Sequence, residues 1–383
     1  MNQNSFGKTI SIILKVLLFV GTFIAVIALF AVGTVFIVFK GPSSNASKLL
    51  ALSCNETSAM KWVPKVFLSD EEYNDIFNPD SSASGDSKSA ISIQEDEAYH
   101  IVLDEESINK VSSNSDKVIH EAGMLPMLNI DSNGNHSGLA DSDPGTFNME
   151  IPDNDLPPYE LIDIKKGSFK GKMLLVHDPS KVTVASIPSF GGVGWTLSKF
   201  LEEYDAVACL NAGGFEDEDG KGKGGIPDGI VIRDGNIVYG NAGSSYKDVV
   251  GFDSDNKLHV GNMSGSYALS LGIVNGMSFS LGPVLIQDGV RQSGFNSGGN
   301  PRSAIGQTAD GTVILLAIEG RMFDSLGATF DDVSDIMEEY GAINAANLDG
   351  GSSSGLYYEG ERVTRSSSVI GDRPLPTAIV VLR

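Results

Sequence analysis

The chain has 383 residues, enough for one large domain or two ordinary ones, and 41% of them are hydrophobic, which is ample for a sizeable core. Its formal net charge of −22 argues against nucleic acid as a partner, and it opposes long polyanions unless a basic pocket is screened from the rest.

The first element is apolar. Val16 to Phe39 runs 24 residues without a charge between Lys15 and Lys40, longer than the roughly 20 needed to cross a bilayer. It reads as a transmembrane helix closing a segment 1–40. A cleaved signal peptide is the rival reading, against which stand the length of the apolar run and the lack of an A-x-A site after it. Lys8 and Lys15 before the span are balanced by Lys40 and Lys48 after it, so charge does not set the orientation. A short head and a large trailing domain suit a signal anchor with the domain outside the cytoplasm.

Residues 41–155 hold 6 Lys and no Arg against 21 Asp plus Glu, a net of −15. Asp80 to Ser89 and Asp131 to Ser137 are too poor in apolar side chains to offset the entropy of ordering, so this segment reads mostly as a flexible acidic stalk. Two stretches differ: Trp62 to Phe77, where Ser69-Asp-Glu-Glu72 resembles a capping box and predicts a short helix, and His100-Ile-Val-Leu103, a possible lone strand by composition.

Pro157-Pro158 opens a globular part, 156–383. Strands are expected at Lys172 to Val176, Lys181 to Ile187, Ala206 to Leu210, Gly229 to Ile232, Asn236 to Tyr239, Val249 to Phe252, Lys257 to Val260, Ser278 to Leu281 and Pro283 to Ile286. Asp234-Gly235 and Asp288-Gly289 supply hairpin turns. Thr196 to Tyr204 reads as a helix. The predicted class is α+β, with a large mixed sheet and a few helices behind the N-terminal span and stalk.

The last eighty or so residues carry the densest pattern. Thr312 to Ile318 is a buried-strand run that stops at Glu319-Gly-Arg321. Val333, Ile336, Met337 and Tyr340 share one helix face, with Thr329 and Asp332 as a capping-box-like start and Gly341 as the stop. A second strand from Ile343 ends in Asn347-Leu-Asp349-Gly350-Gly351-Ser352. Such a glycine turn can aim successive N–H groups at one anion, phosphate in particular, and Arg302 and Arg321 could fork onto its oxygens. Two carboxylates at strand ends, Glu319 and Asp349, suit glycoside cleavage, in which one carboxyl protonates the leaving oxygen and the other attacks or activates water. The plainer readings are that Asp349 caps its turn and that Glu319 pairs with Arg321.

Other chemistries find less support. None of the five histidines lies in a motif, which weakens a Ser-His-Asp triad on the serines at 352 to 354. Glu216 to Gly220 lacks the ligand spacing of a calcium loop, and Asp131 to Asn135 begins like one without closing. Cys54 and Cys209 make no disulfide framework, Cys209 reads as core, and no His and Cys metal cluster can be assembled. The sequence names no cofactor.

Asn211-Ala-Gly-Gly-Phe215, Asn300-Pro-Arg-Ser-Ala-Ile-Gly306, Glu319-Gly-Arg321, Ser325-Leu-Gly-Ala-Thr-Phe330 and Asn347-Leu-Asp-Gly-Gly-Ser352, in this order, resemble the phosphodiester glycosidase family over roughly Tyr159 to Arg383. That family includes a lysosomal enzyme that removes N-acetylglucosamine from a sugar phosphodiester, and bacterial exopolysaccharide-associated relatives. The resemblance implies a hydrolase for sugar phosphodiesters. It implies Glu319 and Asp349 as catalytic carboxylates, with Asn211, Arg302, Ser303, Arg321, Asn347, Gly350, Gly351 and Ser352 as the substrate-binding set. Glu319 stands where the family usually has Asp, Ala212 where Gly is common, and Ser352 where a third Gly is frequent. Rival readings are a phosphodiesterase cutting the phosphorus–oxygen bond and a non-catalytic phosphoglycan-binding or cell-wall assembly protein.

Overall fold

The computed structural model describes residues 3–57, 60–78, 157–217, 222–368 and 371–383. The expectations for His100 to Leu103, Asp80 to Ser89 and Asp131 to Ser137 lie outside these residues.

Helix α1, Gln3–Lys40, contains a stretch from Ile13 to Lys40 long and apolar enough to cross a membrane, exposed along most of its length, with Phe39 buried and Val35 part-buried near its end. Residues 44–77, assigned by composition to the stalk, form three helices: α2 Ser44–Asn55, α3 Val63–Phe67 and α4 Asp70–Phe77. The Ser69 capping box is present at α4. The Glu72 N–H donates to Ser69 Oγ at 3.2 Å and the Ser69 N–H donates to Glu72 Oε2 at 2.7 Å. What holds these helices is a small core of Phe39, Ala51, Cys54, Val63 and Leu68, flanked by Val35 and Phe67. Charge counting hid this core because its apolar residues are scattered through an acidic segment.

The globular part begins with the antiparallel pair β1 Tyr159–Lys166 and β2 Phe169–Val176. There follow β3 Val182–Ser186, α5 Leu197–Glu203, β4 Ala206–Asn211, β5 Val231–Arg233, β6 Asn236–Tyr239, β7 Ser245–Asp253, β8 Leu258–Ser264, α6 Gly265–Ser270 and β9 Ile273–Ser278. Next come β10 Val284–Gln287, β11 Val290–Arg291, β12 Arg302–Thr308, β13 Val313–Ile318, α7 Phe330–Glu339, β14 Ala342–Leu348, β15 Leu356–Tyr358, β16 Glu361–Arg362 and β17 Thr377–Leu382. The turns read from Asp-Gly pairs are there: Asp234 and Gly235 have φ of 50° and 69°, Asp288 and Gly289 have 49° and 78°, the left-handed values of a type I′ hairpin.

The class is α+β. The strands form three sheets rather than one: β1-β2-β13-β12-β14-β10-β11, β16-β15-β4-β17-β3 and β6-β5-β9-β7-β8. Among the described residues the paired strands are antiparallel. The strand–helix–strand unit explains why: β13 and β14 run parallel, but β12 is slotted between them and opposes both. Ser278 to Leu281 was expected as a strand; it is instead the end of β9 and a turn closed by the Gly282 N–H on the Phe279 carbonyl at 3.1 Å.

Every residue of β13 is buried, because both faces are covered. Ile314, Leu316 and Ile318 face α7, whose Val333, Ile336 and Met337 close one core. Val313, Leu315 and Ala317 face the other sheets through Leu210, Val250 and Ile379. Each aliphatic side chain so enclosed contributes about 1.5 to 3 kcal/mol. This two-sided packing holds the ends of β12, β13 and β14 side by side, where the candidate residues lie.

Candidate functional site

Register places the strand ends in one row: Arg302 opposes Ile318, and Ser303 opposes Leu348, so Asp349, Pro301-Arg302 and Glu319 emerge from neighbouring strands. The chains approach too closely here for side chains. A Cβ on Gly350 would sit 2.8 Å from the Pro301 carbonyl oxygen, and one on Gly320 would sit 2.6 Å from the Pro301 nitrogen.

Alternation along β12 then splits the expected site into two faces. On one face Ser303 Oγ donates to Asn211 Oδ1 at 2.7 Å, and Oδ1 also accepts the Gly355 N–H at 3.1 Å. Asn211 Nδ2 donates to the Asp349 carbonyl at 2.5 Å. Asn211 and Ser303 are fully buried, and these bonds brace the Asp349 turn from behind. Asn347 is buried as well, donating through Nδ2 to the Leu348 carbonyl at 2.6 Å while its Oδ1 lacks a partner.

On the other face Arg302 is buried against Phe330, its guanidinium carbon 3.9 Å from the ring centroid. Nε donates to the Ala328 carbonyl at 3.0 Å and Nη2 to the Gly298 carbonyl at 2.8 Å. Its charge is met by Glu56 from the end of α2, with Arg302 Nη2 to Oε2 at 2.6 Å. The same carboxylate accepts from Asn300 Nδ2 at 3.0 Å and from the Gly298 N–H at 2.7 Å. Arg321 joins them: Nε and Nη2 donate to Asn300 Oδ1 at 3.2 and 3.1 Å, and its guanidinium lies against Gly351. Burial lowers the pKa of both arginines, while Glu56 pulls the other way. Arg302, Arg321, Asn300 and the Gly298 N–H form a cradle of donors, and a carboxylate now occupies it.

Asp349 follows β14 directly, just before the Gly350–Gly351 turn. Part of its residue surface reaches solvent, yet protein surrounds the carboxyl, and burial pushes its pKa up to about 6 against the lowering pull of the Ser353 hydroxyl, the Gly350 N–H and Arg373. The Gly350 N–H donates to Asp349 Oδ1 at 2.9 Å. Arg373 was not anticipated. It grips Asp217 with Nη2 to Oδ1 at 2.7 Å and Nη1 to Oδ2 at 3.1 Å, reaches Ser352 Oγ at 3.3 Å and lies over Phe215. Asp217 belongs to the acidic stretch Glu216 to Gly220, which the sequence presents only as a candidate calcium loop, and Arg373 to a tail without periodic pattern.

Glu319 has a different environment. Arg365 donates to it three times, from its N–H to Oε1 at 2.8 Å and from Nε and Nη2 to Oε2 at 2.8 and 2.6 Å. Arg365 also meets Asp324 at 3.1 Å, and Lys170 meets that aspartate at 2.9 Å. The arginine on Glu319 is thus Arg365, while Arg321 turns to Asn300. Among the described residues no group of three or more His, Cys, Asp or Glu is placed to hold a metal ion. Cys209 is a buried core thiol, and Cys54 is buried in the small helical core.

Residues 204–382 match the family model described as phosphodiester glycosidase. Over 185 residues, 46% of this chain, the sequence is 31% identical to the SPbeta prophage-derived uncharacterized protein YomE of Bacillus subtilis strain 168, and the match spans 28% of that relative's length. Among solved structures, the catalytic domain of zebrafish N-acetylglucosamine-1-phosphodiester alpha-N-acetylglucosaminidase, auto-inhibited by its pro-peptide, aligns with a TM-score of 0.49 at 21% identity, covering 60% of this chain and 85% of that one. A hypothetical protein from Synechocystis aligns with a TM-score of 0.42 at 18% identity, over 59% of this chain and 64% of its own.

Proposed function

The chain carries a domain of the phosphodiester glycosidase family, and from that premise we propose that it is a membrane-anchored, extracytoplasmic hydrolase that splits a sugar-1-phosphodiester, with N-acetylglucosamine as the model sugar, at the anomeric carbon. The observation that carries this reading is the Asp349 carboxyl, enclosed at the end of β14 with its pKa near 6. A carboxyl with that pKa exchanges protons with water near neutral pH, as acid–base catalysis requires.

Once Glu56 withdraws from its donors, the phosphate sits in the cradle of Arg302, Arg321 and Asn300, with the Gly350–Gly351 turn and Ser352 beside it. The sugar lies toward Asp349 and Arg373. A departing phosphate monoester is already a stable anion, so the leaving oxygen gains little from protonation. Asp349 therefore acts in its ionised form, taking a proton from the water that attacks the anomeric carbon. Asn211, Ser303 and Asn347 hold the Asp349 strand end in place from behind. Glu319, neutralised by Arg365, keeps the β13 end and the 365 loop together and leaves the proton chemistry to Asp349.

Heavy-oxygen water tests the bond that breaks. With the full chain in detergent and an N-acetylglucosamine-1-phosphodiester, label in the released sugar supports the glycosidase, and label in phosphate would mean phosphorus–oxygen cleavage. The engagement of Glu319 by Arg365 favours one other reading, a phosphoglycan-binding protein without turnover. In that case the substrate binds saturably, no sugar is released, and Asp349→Asn leaves binding unchanged.

A further inference from the structure

The donor cradle is tied to the end of the apolar helix rather than to the far side of the domain. Ile13–Lys40 has 28 residues, about 42 Å of helix, whereas a hydrocarbon core takes about 30 Å. The last turn or two therefore stand in the headgroup layer when the helix spans a bilayer. That is where the helices of 44–77 pack: Val35 and Phe39 lie in one cluster with Ala51 and Cys54, the Phe39 ring stacks on Phe67 at 5.5 Å, and Lys40 pairs with Glu72 at 2.7 Å. Two residues beyond Cys54 is Glu56, whose carboxylate fills the cradle. Asn296 adds a second tie, donating from Nδ2 to the Ile76 carbonyl at 2.9 Å.

Both elements that bring groups to the cradle also expose apolar side chains. On the helical cap Met60, Trp62 and Val66 are exposed, and tryptophan is a residue of the membrane–water boundary. On the domain, the loop after Arg321 is held tight by the Arg321 N–H on the Leu326 carbonyl at 3.2 Å and the Met322 N–H on the Ser325 carbonyl at 3.0 Å. Its tip holds Phe323, 98% exposed, with Leu326 also exposed. Phe323 is two residues from the Arg321 guanidinium that reaches into the cradle. Single exposed apolar residues are ordinary; here five of them, Met60, Trp62, Val66, Phe323 and Leu326, lie on the two elements that meet at the anion cradle, one of which follows the apolar helix in the chain.

Resting on the hydrolase reading above, we infer that the substrate is a lipid-linked sugar phosphodiester that keeps its chain in the bilayer while its phosphate enters the cradle. The two Glu56 oxygens on their three donors stand where two non-bridging phosphate oxygens bind when the substrate displaces that carboxylate. Water adds its oxygen to the anomeric carbon and the bond from that carbon to the bridging oxygen breaks. That oxygen leaves on the phosphate, so the products are free sugar and a lipid phosphate monoester retained in the membrane. One water proton stays on the new sugar hydroxyl and the other passes through Asp349 to solvent.

The test uses the full chain in phosphatidylethanolamine and phosphatidylglycerol vesicles, offered a long-chain isoprenyl phosphodiester of N-acetylglucosamine in the same vesicles or the soluble methyl phosphodiester of the same sugar. Free sugar is assayed for the parent and for the double variant Phe323→Ser/Leu326→Ser. The expected result is about tenfold or more faster release from the isoprenyl substrate at equal bulk concentration, with the double variant losing that advantage while cleaving the methyl diester at the parent rate. Equal rates on the two substrates, or an advantage that survives the double substitution, overturn the lipid inference and leave the hydrolase standing. Release from neither overturns both.

Discussion

Glu319 and Asp349 each follow a buried strand of the same sheet, with β12 between them, and each is followed by glycine, yet their surroundings oppose each other. Glu319 meets an arginine that donates three hydrogen bonds and is itself anchored to a second carboxylate. Asp349 meets a backbone N–H, a hydroxyl and a more distant arginine, inside a wall that raises its pKa to about 6. The first carboxylate is held by ion pairing, whereas the second is enclosed and only weakly compensated, the setting in which a carboxyl changes charge near neutral pH.

The largest expected effect is that of Asp349→Asn. Turnover of the N-acetylglucosamine-1-phosphodiester should fall by about 10²- to 10⁴-fold in kcat/KM, while the fold gains stability above pH 6. The carboxyl titrates near 6 when folded and at the usual 3.8 when unfolded. Below 3.8 it is neutral in both states and costs nothing; between 3.8 and 6 only the unfolded state ionises, so the penalty grows with pH and levels off above 6 at about 2 to 3 kcal/mol. Thermal unfolding at pH 4 and pH 8 should show parent and variant alike at the first and the variant more stable at the second.

Glu319→Gln should cost less than about tenfold in turnover and, because Arg365 is largely solvated, only about 1 kcal/mol of stability. A loss in kcat/KM as deep as that of Asp349→Asn would erase the contrast between the two carboxylates.

Glu56→Gln removes the anionic partner of a buried arginine. Chemical denaturation of the cap and domain together should fall by about 1 to 3 kcal/mol, and an unchanged midpoint would mean that Arg302 does not depend on it.

The smallest effects are shifts of the pH profile. Activity should rise with an apparent pKa near 6. Arg373→Gln removes a cation that lowers the Asp349 pKa, so the rising limb moves to higher pH; Asp217→Asn removes an anion that raises it, so the limb moves to lower pH. Shifts in the same direction for both would show that the limb does not belong to Asp349.

Local grammar is legible in the sequence itself. The Thr329 capping box forms, with the Asp332 N–H on Thr329 Oγ1 at 3.1 Å and the Thr329 N–H on Asp332 Oδ2 at 2.8 Å, and Gly341 ends the helix at φ 76°. These features involve residues within a few positions of one another, where periodicity and turn chemistry leave a mark. The partners that define the site do not. Glu56 reaches Arg302 across 246 positions and Arg373 reaches Asp217 across 156. Nothing in a segment of sequence records which distant segment will cover it. The same limit applies to Arg302 and Ser303: they sit side by side in one motif, and only the pairing of β12 with its neighbours sends one to the Glu56 cradle and the other behind Asp349.

The position of β17 has a consequence for how the molecule assembles. It lies between β3 and β4, pairing Ala378 with Ala185 on one side and with Asn211 on the other. Those two strands therefore wait, with their hydrogen-bonding edges unfilled, until the chain has been made as far as residue 382. At ribosomal speed that is an interval of roughly 10 to 30 s. During it Asn211, which braces the Asp349 turn, has no finished sheet behind it. The sheet behind the candidate site is therefore completed late, and a nascent chain lacking residues 377–382 exposes two unpaired strand edges.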